Sequence, residues 1–157
     1  MDEPRWLDAR ELCAWQSFLA VSAILNRLVE QQLKDDSGLS HPQYEVLTRL
    51  SAAPNGELRM TELAGAALTT KSGLTYQIGQ LEKAGLVRRR SCETDVRGVV
   101  AGITEAGWEK LRVTAPGHAA LVRELFVDGL DRARFDGLAD GLDALAGHLR
   151  AAAGSPE

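Results

Sequence analysis

Aromatic residues are scarce, at 5% of 157 residues, so Ala, Leu and Gly do most of the apolar filling. The two cysteines, Cys13 and Cys92, stand far apart and give no disulfide framework. The three histidines, His41, His118 and His148, fall in no His-Glu-x-x-His or Cys-x-x-Cys grouping, so spacing yields no metal site. There is no Gly-rich phosphate loop and no nucleophile elbow, hence no catalytic residue and no cofactor motif to name. The first ten residues are acidic and polar, without the basic-then-apolar order of a secretory signal. The longest apolar stretch, residues 15–25, is interrupted by Gln16, Ser17 and Ser22 and reads as too short to cross a bilayer. These absences argue against an enzyme, a secreted scaffold and a membrane partner, and lead to the expectation of a cytoplasmic protein.

Hydrophobic residues make up 45% of the chain and charged residues 25%, enough for an ordinary core in one domain with helical extensions. The net charge of −4 speaks at first against nucleic acid, but its distribution is uneven. Residues 57–97 hold seven basic side chains (Arg59, Lys71, Lys83, Arg88, Arg89, Arg90, Arg97) and five acidic ones (Glu57, Glu62, Glu82, Glu93, Asp95). That is a local balance of +2, which leaves −6 on the rest. A basic centre between acidic ends is the expected form of a local DNA footprint. A solvated charge run has the same composition, so the elements have to decide.

Residues 7–33 read as a long helix, with Leu12, Trp15, Phe18, Leu19, Leu25, Leu28 and Leu33 at helical spacings. Residues 35–38 stop it. Ser40 caps a second helix with Pro42 in its first turn, and Pro54-Asn55-Gly56 ends that one. A short helix opens at Met60 or Thr61. Thr70 then caps another over residues 71–84, with Gly85 as its terminator. Its inward stripe is Leu74, Ile78 and Leu81. Residues 86–90 and 99–103 read as two short strands around a polar tip at 92–98, a hairpin. Thr104 caps a further helix in which Pro116 predicts a kink or break. The last helix carries a three-four seam of Phe135, Leu138, Leu142, Leu145 and Leu149, suited to packing against another helix.

Helix, helix, turn, helix and hairpin in that order make a mainly α winged helix-turn-helix with a small β-hairpin, in which the third helix enters the DNA major groove. Ser72, Thr75, Tyr76, Gly79 and Lys83 lie on its outward side, with Gly73 and Gln80 at the flanks. Hydroxyls and a cation there suit phosphates and base edges. Lys71 sits near the helix N-terminus, where exposed N–H groups favour phosphate. Arg97 at the hairpin tip suits a narrow minor groove, with Asp95 placed to steady it.

The stretch from Trp15 to about Gly107 resembles the MarR (multiple antibiotic resistance regulator) family. The matching pieces are Gly38-Leu39-Ser40, Tyr44-Glu45-Val46-Leu47, Leu58-Arg59-Met60-Thr61-Glu62-Leu63-Ala64 and the run from Gln80 through Leu86 to Arg89. Asp95-Val96-Arg97 matches the family's Asp-x-Arg wing, and Ile103-Thr104-Glu105-Ala106-Gly107 follows it. Many relatives carry a basic residue where Tyr76 stands, a departure that bears on the contacts of the helix. The resemblance implies a homodimer on double-stranded DNA at a pseudo-palindromic operator, commonly as a repressor. It implies dimerisation segments at 1–36 and 108–157 around a DNA-binding domain at 37–107. The expected DNA-binding residues are Arg59, Thr70, Lys71, Ser72, Gly73, Thr75, Tyr76, Lys83, Arg88, Arg89 and Arg97. It also implies a small aromatic or phenolic effector, for which Trp15, Phe18, Tyr44 and Trp108 are the candidate cleft residues. Cys13 in the first helix and Cys92 in the wing keep a redox-sensing regulator as an alternative, and the acidic net charge keeps a winged-helix protein-interaction module as another.

Overall fold

The computed structural model describes residues 4–66, 70–92 and 95–152, the side chains of 66, 71, 92 and 95–97 excepted. Helix α1 (Ala9–Ser37) begins at Asp8, whose carboxylate accepts the main-chain N–H groups of Arg10 and Glu11 at 2.7 and 2.8 Å, while Glu11 accepts the N–H of Asp8. This reciprocal cap satisfies N–H groups that a helix start leaves without partners. The helix runs through residues 35–37 and ends at Gly38, which takes a left-handed φ of 71°. Ser40 and Gln43 repeat the same cap for α2 (His41–Ala52). A 3-10 turn (Pro54–Gly56) then leads into β1 (Glu57–Arg59), α3 (Met60–Ala66) and α4 (Lys71–Lys83). Strands β2 (Val87–Cys92) and β3 (Asp95–Ile103) precede α5 (Glu105–Val122), a π-helical turn (Arg123–Val127) and α6 (Arg132–Ala152).

The core lies between α2, α3, α4, the sheet and the C-terminal half of α1. Leu33, Leu47, Leu50, Leu63 and Ile78 are fully buried there, with Leu74, Leu81 and Val87 beside them. The three inward residues of α4 are thus the ones its periodicity predicts. The sheet is antiparallel with order β1-β3-β2. Opposed residues share a face, so Leu58, Ala101 and Ile103 with Val87 turn to the core.

Four features differ from the expectation. The hairpin is joined by a third strand, β1, a three-residue segment too short for alternation to reveal. Both hairpin strands extend into the predicted polar tip, to Cys92 and from Asp95. Helix α5 continues through Pro116 without a break, and the irregularity falls at the π turn after Val122. Proline removes its own N–H from the ladder and crowds the carbonyl of Arg112 one turn back, yet α5 stays helical there and packs along α1. Finally, α1 contains an 18-residue window of mean hydropathy 1.4. It is long and apolar enough by composition to cross a membrane, because Leu12 to Ala14 and Leu28 to Val29 extend the run beyond residues 15–25. Only 6% of that window is buried within the chain. Leu12, Trp15, Phe18, Leu19 and Ile24 stand exposed on α1, as do Leu138, Leu145 and Leu149 on α6.

Candidate nucleic-acid interface

Thr70 starts α4 by accepting the main-chain N–H of Gly73 at 3.1 Å, and its hydroxyl lies 3.2 Å from that of Ser72. Burial of Leu74, Ile78 and Leu81 fixes the rotation of the helix, which leaves Ser72, Thr75, Tyr76 and Lys83 exposed on one side. Tyr76 is 62% exposed, a large ring with no core role. Nothing within 4 Å would meet a Cβ on Gly79, so this outer face is open. Gly85, with φ 73°, turns the chain into β2. Thr104 donates to the Gly85 carbonyl at 2.6 Å and caps α5 by accepting the N–H of Gly107 at 3.1 Å. One hydroxyl therefore ties the end of α4 to the start of α5.

The arginines of the sheet divide by face. Arg89 lies on the core side of β2 and reaches past its edge to Glu82 of α4, with Nε 2.9 Å from Oε2. Arg88 and Arg90 lie on the outer side, in the rows of Gly102 and Val100. Both donate to Glu57 of β1: Arg88 Nη2 to Oε1 at 3.1 Å, and Arg90 Nη2 to Oε2 at 2.6 Å. Hydrogen bonds from Arg90 and Arg88 hold the Glu57 carboxyl below its ordinary range. Arg59 is exposed in the same outer row as Arg90. Glu57 and Arg90 enter the charge count of residues 57–97 but are not among the expected site residues, and the strand that carries Glu57 is not expected from the sequence at all. A Glu-x-Arg pair before a helix is too common a pattern to announce them.

The main chain puts Lys71 at the first residue of α4 and Arg97 in β3. The side chains of Lys71, Arg97, Asp95 and Cys92 lie outside the described residues, and the expected Asp95–Arg97 contact with them.

Of the four aromatic cleft candidates, two come together. Tyr44 and Trp108 line an open cleft of about 420 Å³ between α2 and α5, with Thr48, Ser51, Leu111 and Arg112. Trp15 and Phe18 do not line it. They stack on each other on the exposed side of α1, ring centres 6.0 Å apart. Helical spacing placed them on one face but could not say which neighbour that face meets. Burial raises the Tyr44 hydroxyl above its ordinary pKa. Beside the cleft, His118 of α5 packs 4.6 Å from the Tyr44 ring and 6.5 Å from that of His41. Burial, and secondarily the charge of His41, lower its pKa. Cys13 is an exposed free thiol on α1. Among the described residues no three His, Cys, Asp or Glu side chains gather as a metal site.

Comparison with known proteins agrees with this geometry. Residues 39–99 match the MarR family. The HTH-type transcriptional repressor YetL of Bacillus subtilis (strain 168) is 30% identical over 112 residues, which span 71% of this chain and 66% of that protein. Sco3205, a MarR family transcriptional regulator from Streptomyces coelicolor solved in complex with DNA, is 40% identical. It superposes with a TM-score of 0.90 over 96% of this chain and 94% of its own. AbsC, a MarR family regulator from the same organism, is 41% identical with a TM-score of 0.87, over 94% and 99% of the two chains. A fold with a tight cap-to-cap winged helix, and full-length relatives at this identity, place the chain in the MarR family of transcriptional regulators.

Proposed function

We propose that this protein acts as a homodimer on double-stranded DNA at a pseudo-palindromic operator, as a repressor in the cytoplasm. The observation that carries the DNA reading is the outward face of α4. Four polar or cationic side chains stand exposed on a helix whose opposite stripe is locked into the core, next to a sheet bearing Arg59, Arg88, Arg89 and Arg90. The solved complex of Sco3205 with DNA supports it. In this reading Ser72, Thr75, Tyr76 and Lys83 meet the major groove. Lys71, Arg88 and Arg89 meet phosphates and Arg97 enters the minor groove. Arg59, Thr70 and Gly73 border the same surface.

The dimer reading rests on the exposed apolar rows of α1 and α6. Rows of exposed apolar side chains mark an interaction surface, here assigned to dimerisation segments at 1–36 and 108–157 around a DNA-binding part at 37–107. The second copy, rather than lipid, covers the apolar window of α1, because the C-terminal half of that helix is committed to this chain's own core. The effector reading rests on the cleft of Tyr44 and Trp108, where α2 of the DNA-binding part meets α5. A planar aromatic or phenolic molecule seated there biases the spacing of the two recognition helices and releases the operator.

The test is a titration of labelled duplex from upstream of the protein's own gene, and of a genomic fragment library, with wild type and Arg97→Ala. Salt-sensitive, sequence-selective binding that weakens in the variant is expected. Equal weak binding to every duplex, unchanged by Arg97→Ala, sinks the DNA reading and favours a protein-interaction module. A redox regulator is favoured instead if peroxide abolishes binding and Cys13→Ser or Cys92→Ser restores it.

A further inference from the structure

Glu57 is the residue that stands out once the DNA-binding reading is in place. It is acidic, it lies on the short strand β1, and it sits among the arginines of the wing sheet. Strand β3 is the middle strand, so Glu57 and Arg88 flank the same residue of β3, Gly102. Two strand spacings, about 9.6 Å, separate their backbones. Their side chains meet only by crossing over Gly102. A Cβ at Gly102 would lie 3.1 Å from Glu57 Cγ, 3.2 Å from Glu57 Oε1 and 3.4 Å from Arg88 Nε. The glycine is the trough through which the pair closes.

Arg90, one row along, adds its Nε at 3.4 Å and its Nη2 at 2.6 Å. Both guanidinium groups are substantially exposed, at 62% for Arg88 and 45% for Arg90, whereas the Glu57 side chain is 18% exposed. The cations face solvent, and the less exposed Glu57 carboxylate holds them both.

We infer that Glu57 is an internal competitor for DNA phosphate: it engages Arg88 and Arg90 across Gly102 and so sets the affinity and salt dependence of operator binding. The inference rests on the DNA-binding reading above. A carboxylate and a phosphate oxygen seek the same N–H donors of a guanidinium. Each arginine that turns to phosphate releases condensed counterions, and each one held by Glu57 releases fewer. In a chain of net charge −4, such a device keeps sequence-independent binding weak and leaves discrimination to α4.

The experiment measures binding to the upstream duplex and to a scrambled duplex by fluorescence anisotropy between about 50 and 200 mM salt. It compares wild type, Glu57→Gln, Gly102→Val and the triple variant Glu57→Gln/Arg88→Ala/Arg90→Ala. Circular dichroism confirms that each is folded. Glu57→Gln is expected to bind both duplexes more tightly at low salt. Its plot of log affinity against log salt steepens by about 0.9 for each arginine that turns to phosphate, up to about 1.8 per subunit. Gly102→Val blocks the crossing without changing charge, so it steepens the slope as well, which an effect of net charge alone does not do. The triple variant loses the gain.

If wild type binds and Glu57→Gln keeps the wild-type slope, or binds more weakly, the inference is overturned while the DNA reading stands. If no duplex is bound by wild type or variant at any salt, the DNA reading itself has failed. Should Gly102→Val not fold, Glu57→Gln and the triple variant decide alone.

Discussion

Gly107 offers a test of how tightly the wing is set against the helices. It lies in the first turn of α5, where its N–H is taken by the Thr104 hydroxyl. A Cβ built there would stand 2.3 Å from the Leu86 carbonyl oxygen and 2.7 Å from Ile103 Cγ1. Ordinary contact begins near 3.4 Å, so Gly107→Ala requires a shift of about 1 Å between α5 and the start of β2. The obstacle is main chain, and the same carbonyl accepts the N–H of Thr104 at 3.1 Å, so a side-chain rotation cannot relieve it. Overpacking costs about 1–3 kcal/mol, and a backbone obstacle belongs at the top of that range. Replacing glycine by alanine in a helix returns about 1 kcal/mol. The expected net loss is about 2 kcal/mol, or roughly 4–8 °C in Tm for a chain of this length. Urea unfolding followed by circular dichroism, at fixed protein concentration, reads it as a lower midpoint with an unchanged slope. A midpoint equal to or above wild type refutes the steric argument, because only the helix-propensity effect would then remain.

Other consequences follow from the same contacts. Thr70→Ala removes the N-cap of α4 and costs about 1 kcal/mol in the same urea assay, whereas Thr70→Ser retains most of it; equal midpoints for the two contradict the cap. His118 binds protons less readily folded than unfolded, since burial and His41 lower its pKa. The unfolded chain therefore holds more protons just below the ordinary value of about 6.5, and stability is full above that pH and is lost as pH falls toward the lowered folded value. Urea midpoints at pH 7.5, 6.5 and 5.5 check this, and His118→Gln flattens the trend; parallel curves for the two proteins count against His118 as the source. Phe18→Glu, on the exposed row of α1, is expected to yield folded monomers in sedimentation equilibrium where wild type sediments as a dimer, and a monomeric wild type contradicts the dimer proposal.

The helices and their caps were legible because each follows from local chemistry. Asp8, Ser40, Thr70 and Thr104 all cap helices, and the last three are readable from their position before a periodic apolar run. The inward stripe of α4 needed only a period of 3.6. Strand β1 was not legible, because its partner, β3, lies some forty residues later and three residues carry no alternation. That gap hid Glu57, whose role depends wholly on which strand lies between it and Arg88. The long helix α1 misled in another way. Its apolar residues have core spacing, yet among the described residues much of its N-terminal half stands exposed, so Trp15 and Phe18 read as cleft residues while they lie on an open face. Gly107 was readable as part of a family pattern, but the reason for it, a carbonyl 2.3 Å from where a Cβ would sit, exists only in three dimensions.

Whether two copies of α4 and the wing grip DNA together can be read by hydroxyl-radical footprinting of a fragment selected from the genomic library. Two protected segments related by a pseudo-twofold axis are expected, with centres about 10 bp apart, both lost in Arg97→Ala. A single protected segment without dyad symmetry, or a footprint that Arg97→Ala leaves intact, contradicts the joint grip.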